Sequence, residues 1–209
     1  MKINLPDSVF KGHTVTIVGG GYSLASFDFN RLRQPVIALN YAVKYFPSSM
    51  FLCIDAPVTE KYGMGEFLDS YSGYKVCLRN LTERNDFTQV EIFPNHDTLD
   101  LDWHIEKVNL SGFLAIAVAL HLGAEKIYLL GFDGGYQDPA KPGWEAEAYV
   151  GPGQNTLINQ NPYFDFFGLE KIINVGLDSR IESFPKVDIN SNFYKLNYHE
   201  LVHSKIISS

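Results

Sequence analysis

The segment from Ser111 to Asp133 constrains the fold more than any other part of the chain. Residues 111–122, SGFLAIAVALHL, are rich in Ala and Leu and predict a helix that ends at Gly123. The following run, KIYLLGFD at 126–133, is almost wholly apolar, which is typical of a strand at the centre of a parallel sheet. This helix and strand therefore predict a buried parallel sheet with crossover helices.

Six further apolar runs alternate with longer mixed segments, which is the pattern of strands joined by crossover connections. They are HTVTIVG (13–19), PVIALN (35–40), SMFLCIDA (49–56), YKVCLRN (74–80), QVEIFP (89–94) and IINVG (172–176). We therefore predict an α/β fold with a Rossmann-like, doubly wound and mostly parallel sheet. The length of 209 residues suits one compact domain spanning residues 1–209.

Two segments depart from this pattern. Residues 134–163 carry glycines, prolines and no sustained period, which favours a long functional loop or lid over a partly helical surface excursion. The C-terminal tail, residues 194–209, has apolar residues at mixed helical spacing. It either docks on a partner subunit, which would make a homo-oligomer, or covers the chain's own core.

Amino-acid composition limits the binding partners and the cellular compartment that are expected. Lys and Arg number 17 against 24 Asp and Glu, giving a net charge of −7, and no basic run occurs, so duplex nucleic acid is not an expected partner. The sequence has no run of eighteen apolar residues, so no membrane insertion is expected. The N-terminal residues lack the apolar segment of a signal peptide. Cys53 and Cys77 lie in apolar runs, which predicts buried free thiols and a cytoplasmic protein.

A glycine turn follows the first long apolar run. Gly19, Gly20 and Gly21 let the backbone turn sharply and approach a ligand, and Ser23 is suited to cap a short helix whose N-terminus attracts an anion. The spacing is not the dinucleotide fingerprint, because Leu24 stands where the third glycine belongs. No Gly-Lys-Ser/Thr of a P-loop follows either. Phosphate binding and a simple tight turn both remain open for these residues.

Polar residues follow three of the predicted strands. Asn40 has an amide that suits a phosphate or sugar oxygen, although a strand-ending turn residue is a second interpretation. Asp55 and Asp133 come directly after apolar runs, and ligands of open α/β sheets bind along the carboxyl ends of the strands. Both acids could therefore face one cleft, or they are solvated turn residues.

Ser111 and Gly112 begin the strongest predicted helix, where the serine either caps the helix or presents a second anion-binding helix end. No His, Cys or acid has the spacing of a metal site, so no metal ligands are predicted. No Gly-x-Ser-x-Gly elbow is present, which leaves a hydrolase triad without support.

Taken together, these motifs resemble a known superfamily. VGGGYSLASFDFNRL resembles its G-x-G-P-S-L…FDF-x-RL opening, with Tyr22 in place of the usual Pro. Asn40 after the second strand, Ser111-Gly112 before an Ala-rich helix, and IYLLGFD ending at Asp133 follow in the same order. The superfamily includes bacterial sialyltransferases of the lipooligosaccharide type, Maf-type flagellin glycosyltransferases and MptE-like hydroxymethylpterin diphosphokinases. The ending, IESFPKVDINSNFY, resembles its short phage and prophage members.

The resemblance implies a Rossmann-like domain that binds a cytidine-sugar nucleotide or another nucleotide. The sialyltransferases use a His in the loop after the I-Y-L-x-G-x-D strand, whereas residues 134–198 contain no histidine. The acid or base would then be another group: the candidate catalytic residues are Asp133, Asp55 and Tyr136, and a histidine from residues 96–104 is a further alternative. The candidate nucleotide-binding residues are Gly19, Gly20, Gly21, Tyr22, Ser23, Asn40, Ser111 and Gly112.

Three functions follow as hypotheses. The first is a small glycosyltransferase that binds a nucleotide-activated sugar, with CMP-sugar favoured, and requires no cofactor. The second is a non-catalytic nucleotide-binding protein, for example one that sequesters a nucleotide in a phage-infected cell. The third is a pterin-type diphosphokinase, in which Asp55 and Asp133 would hold Mg²⁺.

Overall fold

The computed structural model describes residues 2–54, 64–78, 84–91, 111–134, 167 and 171–195. The strands in this part of the chain are β1 (Lys2–Ile3), β2 (Thr14–Val18), β3 (Val36–Leu39), β4 (Met50–Cys53), β5 (Tyr74–Leu78), β6 (Thr88–Glu91), β7 (Lys126–Leu130), β8 (Ile172–Val175) and β9 (Lys186–Val187). The α-helices are α1 (Met64–Ser70) and α2 (Ser111–His121). Short 3-10 helices cover Tyr22–Ser26, Phe29–Arg31, Asn40–Lys44 and Phe193–Lys195.

All nine strands form one sheet in the order β1-β6-β5-β4-β3-β2-β7-β8-β9. Strands β2 to β9 are parallel, and β1 pairs antiparallel with β6 at one edge. The chain leaves β2 toward β3 and later returns to β7 on the other side of β2, so the strand order reverses between these two neighbours. The doubly wound, mostly parallel sheet is therefore confirmed, and its ligand crevice is expected at the carboxyl ends of β2 and β7.

Both faces of the sheet are buried, and alternate side chains of β7 show this. Ile127 and Leu129 pack in the same apolar cluster as α2, whereas Tyr128 and Leu130 pack in the cluster on the opposite face. Helix α2 is buried from Phe113 to Ala119, as expected for a helix that is apolar on all sides. Gly123 follows it with φ of +88°, which confirms the predicted stop.

The remaining predictions from the sequence have mixed outcomes. Every predicted strand is present, but β1, β9 and α1 were missed because each is short and lacks a sustained period. The predicted lid, apart from Gly134, lies outside the described residues, as does the tail beyond Lys195. Cys53 and Cys77 are buried free thiols, as predicted.

The start of the C-terminal tail covers the chain's own core. Phe193, just ahead of the tail, is 1% exposed, and its ring lies 5.2 Å from that of Tyr128, whose hydroxyl donates to the Phe193 carbonyl at 2.7 Å. Tyr194 adds a hydrogen bond between its hydroxyl and that of Thr16 at 2.8 Å. For these residues the chain's own sheet is the docking surface, while the role of residues 196–209 stays a prediction.

Candidate functional site

The glycine turn is joined to the end of β7 by backbone hydrogen bonds. The N–H of Gly19 donates to the Leu130 carbonyl at 2.8 Å, and the N–H of Gly21 donates to the Gly131 carbonyl at 2.9 Å. Gly20, between them, is exposed, and its N–H donates to no carbonyl in the part of the chain that the structure describes. The turn therefore continues the β2–β7 pairing past both strands, and the Gly20 N–H takes no part in that pairing.

Close packing explains why glycine stands at the outer two positions. A Cβ at Gly21 would lie 2.5 Å from Asp133 Oδ2 and 2.5 Å from the Gly131 carbonyl oxygen. A Cβ at Gly19 would lie 2.8 Å from the same carbonyl oxygen. All three distances are shorter than Cβ contacts in proteins, so the close approach of the two strand ends excludes any side chain here.

Asp133 is bound to the first turn of the 3-10 helix Tyr22–Ser26. Its Oδ2 accepts a hydrogen bond from the Ser23 backbone N–H at 2.9 Å, and its Oδ1 accepts one from the Ser23 hydroxyl at 2.6 Å. The carboxylate is only 5% exposed. Asp133 thus lies at the predicted sheet edge and holds the glycine turn in place through both oxygens.

Ser23 does not cap the helix, and this part of the prediction was wrong. The N-cap is Gly21, which has no capping side chain, and Ser23 lies one residue inside the 3-10 helix. Its hydroxyl and N–H both turn toward Asp133 because that carboxylate approaches from β7. The side chain joins two strands rather than closing one helix end.

The electrostatics of the site follow from burial. Desolvation raises the pKa of the Asp133 carboxyl above its ordinary value, although the hydrogen bonds from Ser23 oppose the shift and the nearby Asp178 adds to it. Desolvation likewise raises the pKa of the Tyr22 phenol, with further increases from Asp133 and Asp178 and a decrease from Arg180. Tyr22 is therefore close to both acids and to one cation.

Asn40 and Ser111 meet at the same edge of the sheet. Asn40 follows β3 with φ of +52°, a conformation that asparagine adopts more readily than most residues. Its Oδ1 accepts a long hydrogen bond of 3.5 Å from the hydroxyl of Ser111, the first residue of α2. Asn40 is thus both a strand-ending turn residue and a partner of the Ser-Gly motif.

The Phe132 ring packs against two glycines of the predicted nucleotide site. A Cβ at Gly112 would lie 2.6 Å from its ring, and one at Gly19 would lie 3.4 Å from the ring. Phe132 itself is 7% exposed. This ring therefore brings the start of α2 and the glycine turn together, and it explains the Gly at 112 by packing.

Most of the predicted site residues are described and lie at one edge of the sheet. That edge unites the glycine turn, Asp133, Asn40 and the Ser111-Gly112 motif, and their binding roles stay predictions. Asp55 and Tyr136 lie outside the described residues. Among the described residues, His, Cys, Asp and Glu form no group of three that could hold a metal ion.

A polar loop after β8 was missed by the sequence analysis. Ser179 Oγ donates to the Phe132 carbonyl at 2.6 Å and accepts from Asn174 Nδ2 at 2.8 Å and from the Ile181 N–H at 3.1 Å. The Arg180 N–H donates to the Asp133 carbonyl at 2.9 Å. The only sequence clue was a polar Asn174 within IINVG, because such a residue in a buried strand needs buried hydrogen-bond partners.

Comparison with known proteins agrees with this architecture. No protein-family model and no curated protein matches the chain. The chain is similar to the monofunctional alpha-2,3-sialyltransferase Cst-I from Campylobacter jejuni, with a TM-score of 0.54 and 18% sequence identity over 99% of this chain and 99% of that chain. A similarity at this level of identity shows a shared fold.

A second solved structure is the sialyltransferase CstII from Campylobacter jejuni, in complex with the substrate analogue cytidine-5'-monophosphate. It matches with a TM-score of 0.37 and 22% identity over 57% of this chain and 68% of that chain.

In the described part of this chain, no helix has the length and apolar character needed to cross a membrane.

Proposed function

We propose that this protein binds a nucleotide-activated sugar, with CMP-sugar favoured, and transfers the sugar to an acceptor. The observation that carries the proposal is the meeting of four separate motifs at the point where the strand order reverses. The glycine turn, Asp133, Asn40 and Ser111 come from distant parts of the chain and lie at the carboxyl ends of β2, β3 and β7 and at the start of α2. Ligands of open α/β sheets bind at this position.

The chemistry of these groups suits a nucleotide. Gly20 is exposed and offers its N–H to a phosphate oxygen, while the Asn40 amide offers a donor and an acceptor to a phosphate or a sugar hydroxyl. The uncharged partners Asn40 and Ser111 suit a sugar or ribose oxygen without repelling a phosphate. Asp133 supports this arrangement by holding Ser23, so its first role in the proposal is to position the turn.

Sugar transfer is favoured over other nucleotide chemistry by the sequence motifs and by the shared fold with the sialyltransferase Cst-I. Transfer would proceed without a metal, with the Gly20 N–H helping to stabilise the leaving nucleotide. Its acid or base would come from the candidates Asp133, Asp55 and Tyr136. For Asp133, the hydrogen bonds from Ser23 stabilise the ionised carboxylate and so oppose its taking a proton.

Binding without turnover is the second candidate, and one observation favours it. Both oxygens of Asp133 already accept hydrogen bonds from Ser23, and residues 134–198 contain no histidine to act in its place. A pterin-type diphosphokinase is the third candidate. In that case Asp133 would exchange its Ser23 partners for Mg²⁺ together with Asp55.

Calorimetry of the intact protein with CMP, UDP and GDP tests the proposal. We expect CMP to bind most tightly, and Asn40→Gly to weaken it, since glycine keeps the positive φ while removing the amide. The matched control is Asn4→Gly, at an exposed site that follows the edge strand β1. This change should leave nucleotide binding unchanged. No binding of any of these nucleotides at millimolar concentration would overturn the proposal.

Turnover assays then separate the candidates. Release of CMP from a CMP-sugar without added metal supports transfer. Tight binding with no release over hours supports the non-catalytic protein, and a strict requirement for Mg²⁺ with ATP as donor supports the diphosphokinase.

A further inference from the structure

We propose that Arg180 is the cationic residue that binds the phosphate of the nucleotide. This inference rests on the proposed function, since it assigns a binding residue within the same cleft. Arg180 follows β8, outside the motifs that the sequence analysis singled out, and its side chain is exposed at the carboxyl edge of the sheet. Arginine suits this role because its planar guanidinium forms paired hydrogen bonds with phosphate oxygens.

The backbone places Arg180 beside the glycine turn. Its N–H donates to the carbonyl of Asp133 at 2.9 Å, and Asp133 in turn holds Ser23. A Cβ built at Gly134 would lie 3.1 Å from the Cβ of Arg180, so Arg180 begins directly beside this glycine. Its charge also opposes the increase in the pKa of Tyr22, the residue that follows the glycine turn.

The loop that carries Arg180 is held rigidly on both sides. Ser179, the preceding residue, is buried and makes three hydrogen bonds through its hydroxyl, and its carbonyl accepts a further one from Lys186 Nζ at 2.6 Å. Ile181, the following residue, is 1% exposed. Because both neighbours are anchored, the backbone at Arg180 is fixed, so less backbone conformational entropy is lost when this residue binds an anion.

A phosphate bound at the glycine turn would need such a cation beside it. The N–H groups of Gly19, Gly21 and Ser23 donate within the fold, to Leu130, Gly131 and Asp133 respectively, so they are not available to a phosphate. Asp133 and Asp178 add negative potential near Tyr22. A phosphate at this corner is therefore stabilised by the positive charge of Arg180 more than by the backbone of the glycine turn.

The test compares CMP with cytidine, which lacks the phosphate. By calorimetry, Arg180→Gln should weaken CMP binding roughly tenfold to a hundredfold and change cytidine binding by less than about twofold. Arg180→Lys, which keeps the charge but not the paired geometry, should fall between the two. Asp178→Asn should tighten CMP binding a few fold, because it removes a negative charge near the same corner.

Arg33→Gln is the matched control, since Arg33 is an exposed arginine that precedes β3 at the opposite edge of the sheet. It should leave CMP binding unchanged. Equal CMP affinity of wild type and Arg180→Gln would overturn the inference, and so would an equal loss of CMP and cytidine binding, which would indicate a structural role.

Failure of the proposed function gives a different result, because wild-type protein would then bind no nucleotide. Pyrophosphate serves as the probe in that case. Binding of pyrophosphate that Arg180→Gln abolishes would uphold Arg180 as an anion-binding residue, whereas no binding, or equal binding by the variant, would overturn it.

Discussion

Ser23 and Asp133 are 110 residues apart in the chain and are joined by two hydrogen bonds. This contact changes the meaning of the neighbouring glycines. Gly21 is required by the approach of the Asp133 carboxylate and the Gly131 carbonyl, and its N–H is already occupied. A glycine that permits close backbone approach in this way differs from one that binds a ligand through a free N–H.

Gly21→Ala tests that explanation. The added methyl would meet two oxygen atoms at 2.5 Å, so we expect the free energy of unfolding to fall by about 1–3 kcal/mol. Gly65→Ala in α1 is the control, because no atom lies within 4 Å of its Cβ position and alanine favours a helix. Urea denaturation should show the first variant destabilised and the second unchanged or stabilised. Equal stability of Gly21→Ala and wild type would contradict the packing argument.

Asp133 should make stability depend on pH in a defined direction. Burial raises the pKa of its carboxyl above 3.8, so the folded state binds that proton more readily than the unfolded chain does. The stabilisation from this group is fully present below pH 3.8 and is lost as the pH rises through the raised pKa.

Asp133→Asn lacks this titration. The free energy of unfolding of wild type, minus that of the variant, should therefore be larger near pH 4 than at pH 7. Urea unfolding of both proteins across this range measures the difference. A difference that grows toward neutral pH would show that the charged carboxylate is the better fit to the fold.

At the scale of elements, the loop between β8 and β9 organises the far side of the crevice. Asn174 in β8 and Ser179 in the loop both donate to the carbonyl of Phe132, at 3.2 Å and 2.6 Å. Phe132 in turn packs under Gly19 and Gly112. Phe132 thus links β8 and its following loop through its carbonyl, and the glycine turn and the start of α2 through its ring.

Ser179→Ala should loosen this loop. The change leaves the Ile181 N–H without its acceptor and removes one donor to Phe132, for an expected loss of about 1–3 kcal/mol in the free energy of unfolding. Hydrogen exchange should accelerate over residues 179–181 in particular. Ser8→Ala, at an exposed position, should be within about 0.5 kcal/mol of wild type in the same assay. Unchanged exchange in the loop would argue that other contacts hold it.

At the scale of the whole molecule, net charge governs the choice of partners. With 17 basic and 24 acidic residues, the chain repels polyanions at long range, and one local cation such as Arg180 suits a small phosphate ligand instead. We expect no binding of duplex DNA at physiological salt, as measured by fluorescence anisotropy. Saturable binding whose affinity falls steeply with added salt would show a basic surface that net charge conceals.

The sequence alone determined the doubly wound sheet, because buried parallel strands must be apolar along their whole length and Ala-rich helices that end in glycine are local patterns. It also placed Asn40, Asp133 and the glycine turn at strand ends, since the carboxyl edge follows from chain direction. Short elements such as β9 were not predicted from the sequence, because two residues are too few to show a hydrophobic period.

The contacts that those residues make with one another follow from the tertiary fold. Nothing local to Ser23 indicates that its hydroxyl points to Asp133 rather than to its own helix. Nothing in the stretch around Arg180 indicates that it lies beside the glycine turn. Such roles depend on contacts between residues far apart in the chain, and those contacts exist only once the sheet brings the strand ends together.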